Sequence, residues 1–537
     1  MRLTSARAVL LWLLVLAAVG FGLRVQGIGR VGFAEDEINK LEAVRAYARG
    51  DITPNGEHPM LMKSLMFVSF GTAHWWNAHT HADADEFAAQ GISDEAALRF
   101  PNILFGALTV VPLYLLTAAF FDRRTGYLAA AFWAVGVNAI TFNRVAKEDT
   151  LLVFFMLFAF YFYLRAKQTS GFEQETKRKF YAGSAIAFGL MLASKYFPHF
   201  FGLNMLYHHL VPQRQRAEGE PRGRTPAFFY PLVALSFLVA NPAVLLPKTW
   251  RYLVVYSSEQ LLTHHGYLMG EHIYVNQMSA TPFGGMPIYC YLLFLLIKTP
   301  PPLLIALVVG LVWSVRRWRQ PGAAFLLLMF LLWIVPYSLA GAKWLRYSLS
   351  LMPFVYMLAA VGVAWVLKRC ETAAHATGAH QLIVSRVAVA VVLAVFVGWP
   401  EWVAVASGPH HALYTNALAD GRAGYYFPHD EFYDNGLREA IKYVCDHASP
   451  GATLAHETLG VTRYYLEKYE RTDLQPHALS AADFDVERTV RPTYFILQRG
   501  RTYFENQART ETVRRRFPKV YAGTINGVVA VEVYVAE

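Results

Sequence analysis

Three acids, Glu35, Asp36 and Glu37, stand in a row a few residues beyond the first long apolar run of the chain. Charged side chains beside a bilayer are costly to keep there and tend to be functional. Two more segments repeat the placement at the edges of long apolar runs: Glu57-His58-Pro59-Met60-Leu61-Met62-Lys63, and Arg144-Val145-Ala146-Lys147-Glu148-Asp149. Carboxylates, imidazole and ammonium groups recurring at such edges are equipped to move a proton or hold a charged ligand. The recurrence suggests an active site embedded at a membrane.

The elements that position these residues follow from composition. With 55% hydrophobic and 16% charged residues over 537 positions, the chain is too apolar for an ordinary soluble enzyme. Stretches of roughly 17–25 apolar residues, the length that crosses the hydrocarbon as helix, lie near 8–25, 98–119, 126–143, 150–166, 181–195, 197–212, 227–247, 299–315, 323–341, 347–367 and 382–404. They predict an all-α polytopic membrane protein of about eleven transmembrane helices. Arg2 and Arg7, Arg123-Arg124, Arg165 to Lys179, Arg214 to Arg224, Arg316 to Arg319, and Lys368-Arg369 with Arg386 fall in alternate connections, as cytoplasmic loops should. The acid-bearing loops then face outward from an inner (plasma) membrane. Residues 1–25 read as an uncleaved anchor in preference to a signal peptide. The net charge of +10 is mostly this topology signal, and nothing in its spacing resembles a nucleic-acid surface. Cys290, Cys370 and Cys445 suggest neither a disulfide framework nor a zinc site.

From about Ser407 the chain becomes polar and mixed, which divides it into a transmembrane domain, 1–404, and a soluble extracytoplasmic α/β domain, 405–537. In the second, periodicity predicts helices over Glu431 to His447, Val461 to Tyr469 and Phe504 to Arg516. Strands are predicted at Thr453 to His456, Thr493 to Gln498 and Val528 to Val535. In the long first outer loop, roughly 26–97, an amphipathic helix is expected from Glu35 to Arg49 and a semi-apolar interfacial run from Met60 to Trp76.

The order of these segments carries a resemblance. An apolar span is followed by Ala34-Glu35-Asp36-Glu37, then by Glu57 to Lys63, then by Leu98-Arg99-Phe100-Pro101-Asn102 opening a span, then by Arg144 to Asp149. That order resembles the protein O-mannosyltransferase and lipid A aminoarabinose transferase group of glycosyltransferase family 39, within the C-type glycosyltransferase superfamily. Gly266 to Gly270, Lys298-Thr299-Pro300 and Lys343-Trp344-Leu345-Arg346-Tyr347 resemble elements of bacterial members, and the likeness covers roughly residues 8–366. Two departures stand out. Met60 occupies the position of the usual second proline after His-Pro, and the terminal domain does not look like the sugar-binding repeat domain of the eukaryotic enzymes.

The resemblance implies a C-type fold and transfer of a hexose-type sugar from a polyprenyl-phosphate carrier to an extracytoplasmic acceptor: a protein, a glycolipid or a glycan. The acceptor hydroxyl must lose its proton as it attacks the anomeric carbon, so a carboxylate base is required. Asp36 matches the first Asp of the family's Asp-Glu pair, and Glu37 its neighbour, with positioning or acceptor binding as its role. Successive helical positions point about 100° apart, so only one of the two should face the reacting centre. The leaving phosphate is already an anion and asks for cations. Lys63, Lys343, Arg346 and Lys298 are candidates, with His58, Glu148 and Asp149 also assigned to the substrate site. Direct displacement would invert the anomeric configuration.

Plainer readings stand beside these. Asp36 and Glu37 suit a solvated helix start, Glu148-Asp149 suits a cap on the next span, and Lys343 and Arg346 suit snorkelling to headgroups of membrane lipids. His264, His265, Glu271 and His272 lack the same-face histidine spacing of a metal motif. Acids in two outer loops could hold a divalent cation, but the sequence does not decide this and no metal is assigned. The alternative function is a polytopic transporter or flippase, whose charges would line a path; against it, the charges gather at one face. A third reading is a structural partner in an envelope complex.

Overall fold

The structure, a computed structural model, describes residues 6–80, 91–215, 217–220, 224–258, 264–375, 381–489 and 492–537. The chain opens with α1 (Ala6–Val25), α2 (Glu35–Tyr47) and α3 (Met60–Thr80). Next come α4 (Asp94–Leu108) running into α5 (Val110–Phe120), then α6 (Arg123–Val135), α7 (Val137–Asn143), α8 (Asp149–Gln168) and α9 (Gln174–Ser194). Three shorter helices, α10 (Pro198–Leu210), α11 (Phe229–Ala240) and α12 (Pro247–Ser257), lead to a hairpin of β1 (Gly266–Met269) and β2 (His272–Val275). Helices α13 (Cys290–Lys298), α14 (Pro301–Arg316), α15 (Pro321–Leu339), α16 (Met352–His375), α17 (Gln381–Leu393) and α18 (Trp399–Ser407) complete the helical part.

Among the described residues six helices are long and apolar enough to cross a membrane: Ala6–Arg30, Asp94–Phe120, Asp149–Gln168, Pro321–Leu339, Met352–Thr372 and Val387–Ser407. The pair α6 and α7, bent by 55°, makes a seventh if counted as one span. The polytopic helical architecture is therefore present, whereas the count of eleven is not reached by this measure. The stretches expected near 197–212, 227–247 and 299–315 form helices of 13, 12 and 16 residues. Helix α9 is longer but carries Lys177, Arg178 and Lys179 near its start.

The break between α6 and α7 has a partner. Arg24, buried near the end of α1, donates from Nη1 to the Ala134 carbonyl at 3.0 Å, from Nη2 to the Trp133 carbonyl at 3.0 Å, and from Nε to Asn143 Oδ1 at 3.0 Å. Carbonyls released at a bend cannot find water inside a bilayer, and a buried guanidinium supplies the donors they need. Helices α14 and α16 pack backbone to backbone through glycine: a Cβ on Gly310 would lie 1.8 Å from the Leu358 carbonyl oxygen. Small residues are what permit such an approach.

Beyond the helical part come α19 (Pro428–Phe432), α20 (Leu437–His447), β3 (Thr453–Ala455), α21 (Leu459–Lys468), β4 (Gln475–His477), β5 (Thr493–Gln498), α22 (Gln507–Arg516), β6 (Lys519–Ile525) and β7 (Val528–Ala536). The sheet order is β4-β3-β5-β7-β6, with β3 parallel to β4 and β5, and β7 antiparallel to β5 and β6. One apolar core joins this part to the helices of the connection 26–97. Phe33, Ile38, Leu41, Met62 and Leu98 pack in the same cluster as Leu437, Ile441, Tyr465, Ile496 and Val531.

The continuous helix expected over Glu431 to His447 does not form. The backbone breaks between α19 and α20, where Tyr433, Asp434 and Gly436 take φ of 43°, 65° and 87°. Glycine and aspartate tolerate this left-handed region, but a tyrosine is held there at a cost of about 1–2 kcal/mol. The β1–β2 hairpin, β4 and β6 were not anticipated from the sequence pattern.

Candidate active site

Asp36 occupies the second position of α2. Glu35, Asp36 and Glu37 fill the first turn, where acids complement the helix dipole, and the N–H groups that a helix start leaves open are met by side chains. Tyr465 Oη accepts from Phe33 N at 2.8 Å, Glu37 Oε2 from Ala34 N at 3.0 Å, and Asp434 Oδ2 from Glu35 N at 2.9 Å.

Three donors converge on one oxygen of Asp36. Tyr433 Oη donates to Oδ2 at 2.7 Å, Lys147 Nζ stands 3.0 Å from the same atom, and Arg346 Nη1 stands 3.2 Å from it. Among the described residues nothing bonds to Oδ1, and the side chain keeps 28% of its surface exposed. Burial by itself would raise the Asp36 carboxyl, but the charges of Lys147 and Arg346 and the bonds from Tyr433 and Lys147 outweigh it and hold the group well below the ordinary carboxylate range. Arg346 lies over the rings of Trp344 and Tyr347, 5.5 Å from each centroid, which fixes its guanidinium.

Asp36 lines a cleft of about 1090 Å³, open solvent at its mouth included. One wall is α2, with Glu35 and Asn39; another holds Tyr256, His264 and Tyr267; and the post-membrane chain supplies His429, Tyr433, Arg501 and Tyr503. Glu35 pairs with Arg501 Nη1 at 2.7 Å, Arg501 also pairs with Asp434, and His264 stacks on Tyr503 with centroids 3.9 Å apart. Arg346, Lys147 and Tyr433 also line a second hollow of about 760 Å³, open solvent included, together with Thr141, Arg144 and His411.

Glu37 points the other way. Its carboxylate is buried, takes Arg99 Nε at 2.8 Å and the Ala146 N–H at 2.9 Å on Oε1, and pairs through Oε2 with Arg99 Nη2. It ties α2 to α4 and to the 144–148 connection. Glu148 is buried against Lys40 with His58 Nδ1 3.8 Å away, and Asp149 Oδ1 pairs with Lys195 Nζ at 2.6 Å.

Of the four cations considered for a phosphate, only Arg346 reaches Asp36. Lys63 Nζ donates to the carbonyls of Asn55 at 2.6 Å and His58 at 2.9 Å, closing the turn that precedes α3. Lys298 pairs with Glu431 and donates to the Ala412 carbonyl at 2.9 Å. Lys343 Nζ donates to the carbonyls of Ala340 at 2.6 Å and Met286 at 2.7 Å. None of the three lines the cleft. Sequence reasoning did not single out Lys147, Tyr433, Asp434 or Arg501. The run Asp434-Asn435-Gly436 is a turn signal that could have flagged the break from which Tyr433 projects. Among the described residues no group of three His, Cys, Asp or Glu side chains is placed to hold a metal ion.

Comparison with known proteins agrees with this architecture. The family described as dolichyl-phosphate-mannose-protein mannosyltransferase matches residues 89–246. No curated protein matches the chain. Among solved structures, the archaeal oligosaccharyltransferase AglB from Archaeoglobus fulgidus, in complex with an inhibitory peptide and a dolichol-phosphate, superposes with a TM-score of 0.52 at 10% identity, over 97% of this chain and 74% of that one. ArnT from Cupriavidus metallidurans bound to undecaprenyl phosphate gives a TM-score of 0.49 at 13% identity, over 99% of this chain and 98% of that one. The chain therefore shares the fold of the archaeal oligosaccharyltransferase, and its resemblance to glycosyltransferase family 39 is carried by a family match across residues 89–246.

Proposed function

We propose that this protein is an integral membrane glycosyltransferase that moves a hexose-type sugar from a polyprenyl-phosphate carrier to a hydroxyl of an extracytoplasmic acceptor, with inversion at the anomeric carbon. The observation that carries the reading is Asp36, which lines the cleft with Oδ2 anchored by three donors and, among the described residues, no partner on Oδ1. A carboxylate held this way keeps a fixed direction while one oxygen stays available to a substrate proton.

Oδ1 accepts the proton of the acceptor hydroxyl as its oxygen forms a bond to the anomeric carbon. The bond from that carbon to the phosphate oxygen breaks, and its electron pair leaves with the polyprenyl phosphate. Arg346, which lines the cleft, suits the role of holding the departing phosphate, with Lys147 beside it on the same Asp36 oxygen. With both cations on Asp36 the carboxylate is a weak base. A phosphate that draws them toward itself raises the basicity of Asp36 when the donor is in place, which couples donor binding to base strength. Glu37 acts through Arg99 as the brace that sets the angle of α2. In this reading residues 1–404 form the transferase domain, and residues 405–537 form an extracytoplasmic domain that contributes one wall of the cleft.

The test is transfer of labelled sugar from a defined polyprenyl-phosphate hexose by the purified protein. Asp36→Asn keeps the shape of the side chain and removes the base, so turnover should fall roughly 10²–10⁴-fold in protein that still folds. Near-normal turnover by a folded Asp36→Asn protein would rule out the assignment.

A further inference from the structure

Tyr433 and Asp434 are adjacent in the chain, and both sit in the left-handed region of backbone space, at φ of 43° and 65°. Aspartate enters that region readily, but a tyrosine persists there only where its surroundings over-determine it, and such residues concentrate at functional sites. Here both side chains reach the first turn of α2. Tyr433 Oη donates to Asp36 Oδ2 at 2.7 Å, while Asp434 Oδ2 accepts from the N–H of Glu35 at 2.9 Å and pairs with Arg501. Arg501 in turn pairs with Glu35 at 2.7 Å. The post-membrane chain thus grips two consecutive acids of the outer loop from one strained turn, and Gly436, at φ of 87°, returns the chain into α20.

We infer that Tyr433 is a positioning residue for sugar transfer, fixing the rotation of the Asp36 carboxylate so that Oδ1 faces the acceptor hydroxyl. The inference rests on the reading of Asp36 as the base. Of the three donors on Oδ2, Lys147 and Arg346 are cations that an incoming phosphate competes for, whereas the Tyr433 hydroxyl is neutral. It stays on Asp36 when the cations turn to the donor, so it sets the carboxylate angle at the moment of attack. A positional error there is costly because transfer needs the base within hydrogen-bond reach of the proton.

Loss of the hydroxyl also removes one of the bonds that keep Asp36 ionised. The other groups that bear on its titration are Glu35 on α2, Lys147 after α7, Arg346 and Tyr347 before α16, Tyr256 on α12 and His429 on α19. All of them are retained in Tyr433→Phe, which preserves the ring.

The experiment compares wild type with Tyr433→Phe in two measurements. In transfer from a polyprenyl-phosphate hexose, kcat should fall about tenfold or more, as expected for one hydrogen bond to a charged group, with the donor KM within about twofold and the melting temperature unchanged. The acidic limb of the pH profile should move to higher pH, because Asp36 then protonates more readily. The second measurement does not depend on activity: carbodiimide modification of Asp36, quantified by mass spectrometry across acid to neutral pH, should begin at higher pH in Tyr433→Phe. Matching modification profiles and matching kcat would overturn the role of Tyr433. If wild type transfers no sugar, the proposed function fails, while the modification profile still decides whether Tyr433 governs Asp36.

Discussion

Lys343 and Arg346 lie three residues apart and carry the same charge, yet only Arg346 reaches Asp36. Lys343 closes a loop by donating to the carbonyls of Met286 and Ala340, whereas Arg346 reaches Asp36 at 3.2 Å across the cleft wall. Their substitution should therefore separate two kinds of effect. Arg346→Ala removes a charge-assisted contact worth about 1.5–3 kcal/mol, so the donor KM should rise, or kcat fall, about tenfold or more. Lys343→Ala leaves the buried Met286 carbonyl and the half-buried Ala340 carbonyl without that donor, a loss of about 1–3 kcal/mol in stability, and should lower the melting temperature while leaving the donor KM near that of wild type. A larger donor effect from Lys343→Ala than from Arg346→Ala would place the phosphate elsewhere.

At the scale of elements, the brace between α2 and α4 decides whether Asp36 is aimed at all. Arg99 takes both oxygens of Glu37 and also donates to the carbonyls of Ile28 at 3.0 Å, Val31 at 2.6 Å and Gly32 at 2.7 Å. The guanidinium binds the end of the first span, the loop after it and the first turn of α2 into one unit. Arg99→Ala strands the Glu37 carboxylate in a buried site, and breaking such a pair costs about 3–5 kcal/mol. Thermal unfolding in detergent or nanodiscs should show that loss, and Glu37→Gln combined with Arg99→Met should recover part of it. An unchanged melting temperature for Arg99→Ala would mean that the pair is not a brace.

At the scale of the whole molecule, the post-membrane chain is packed onto the outer loop as well as joined to it in sequence. Tyr464 donates to Asp94 at 2.9 Å, Tyr465 donates to Glu95 at 2.8 Å, and Arg438 donates to the Gly29 carbonyl at 3.0 Å, above the apolar core that both parts share. That docking requires the connection 26–97 and the terminal sheet to lie on one side of the membrane, and the distribution of basic loops predicts that this side is the exterior. Single cysteines at Ala48, Ala217 and Ala508, on a background with Cys290, Cys370 and Cys445 replaced by serine, test it with an impermeant thiol reagent. Ala48→Cys and Ala508→Cys should react in intact spheroplasts, and Ala217→Cys only after permeabilisation. Reaction of Ala48→Cys and Ala508→Cys from opposite sides would exclude the docked arrangement, and a cytoplasmic Ala48→Cys would remove the basis for a carrier lipid presented outside.

The sequence by itself determined that this is a polytopic helical protein, because the length and apolarity of a run are local properties and a bilayer imposes the same requirement on every crossing. It also located the strands β5 and β7, whose β-branched and aromatic runs are local, and the short β3 within a residue. It marked the acids at the start of α2, since charge beside an apolar run is visible without a partner. Only the tertiary structure decided which of those groups meet. Asp36 and Glu37 are neighbours of the same type, and their roles divide because Arg99 and Ala146 N–H capture one while Tyr433, Lys147 and Arg346 surround the other. The three donors on Asp36 come from positions more than a hundred residues away along the chain, and one of them projects from a break where a continuous helix was expected. Periodicity reports which face of an element is buried. It does not report which distant side chain completes a carboxylate, because that depends on how separately formed elements pack.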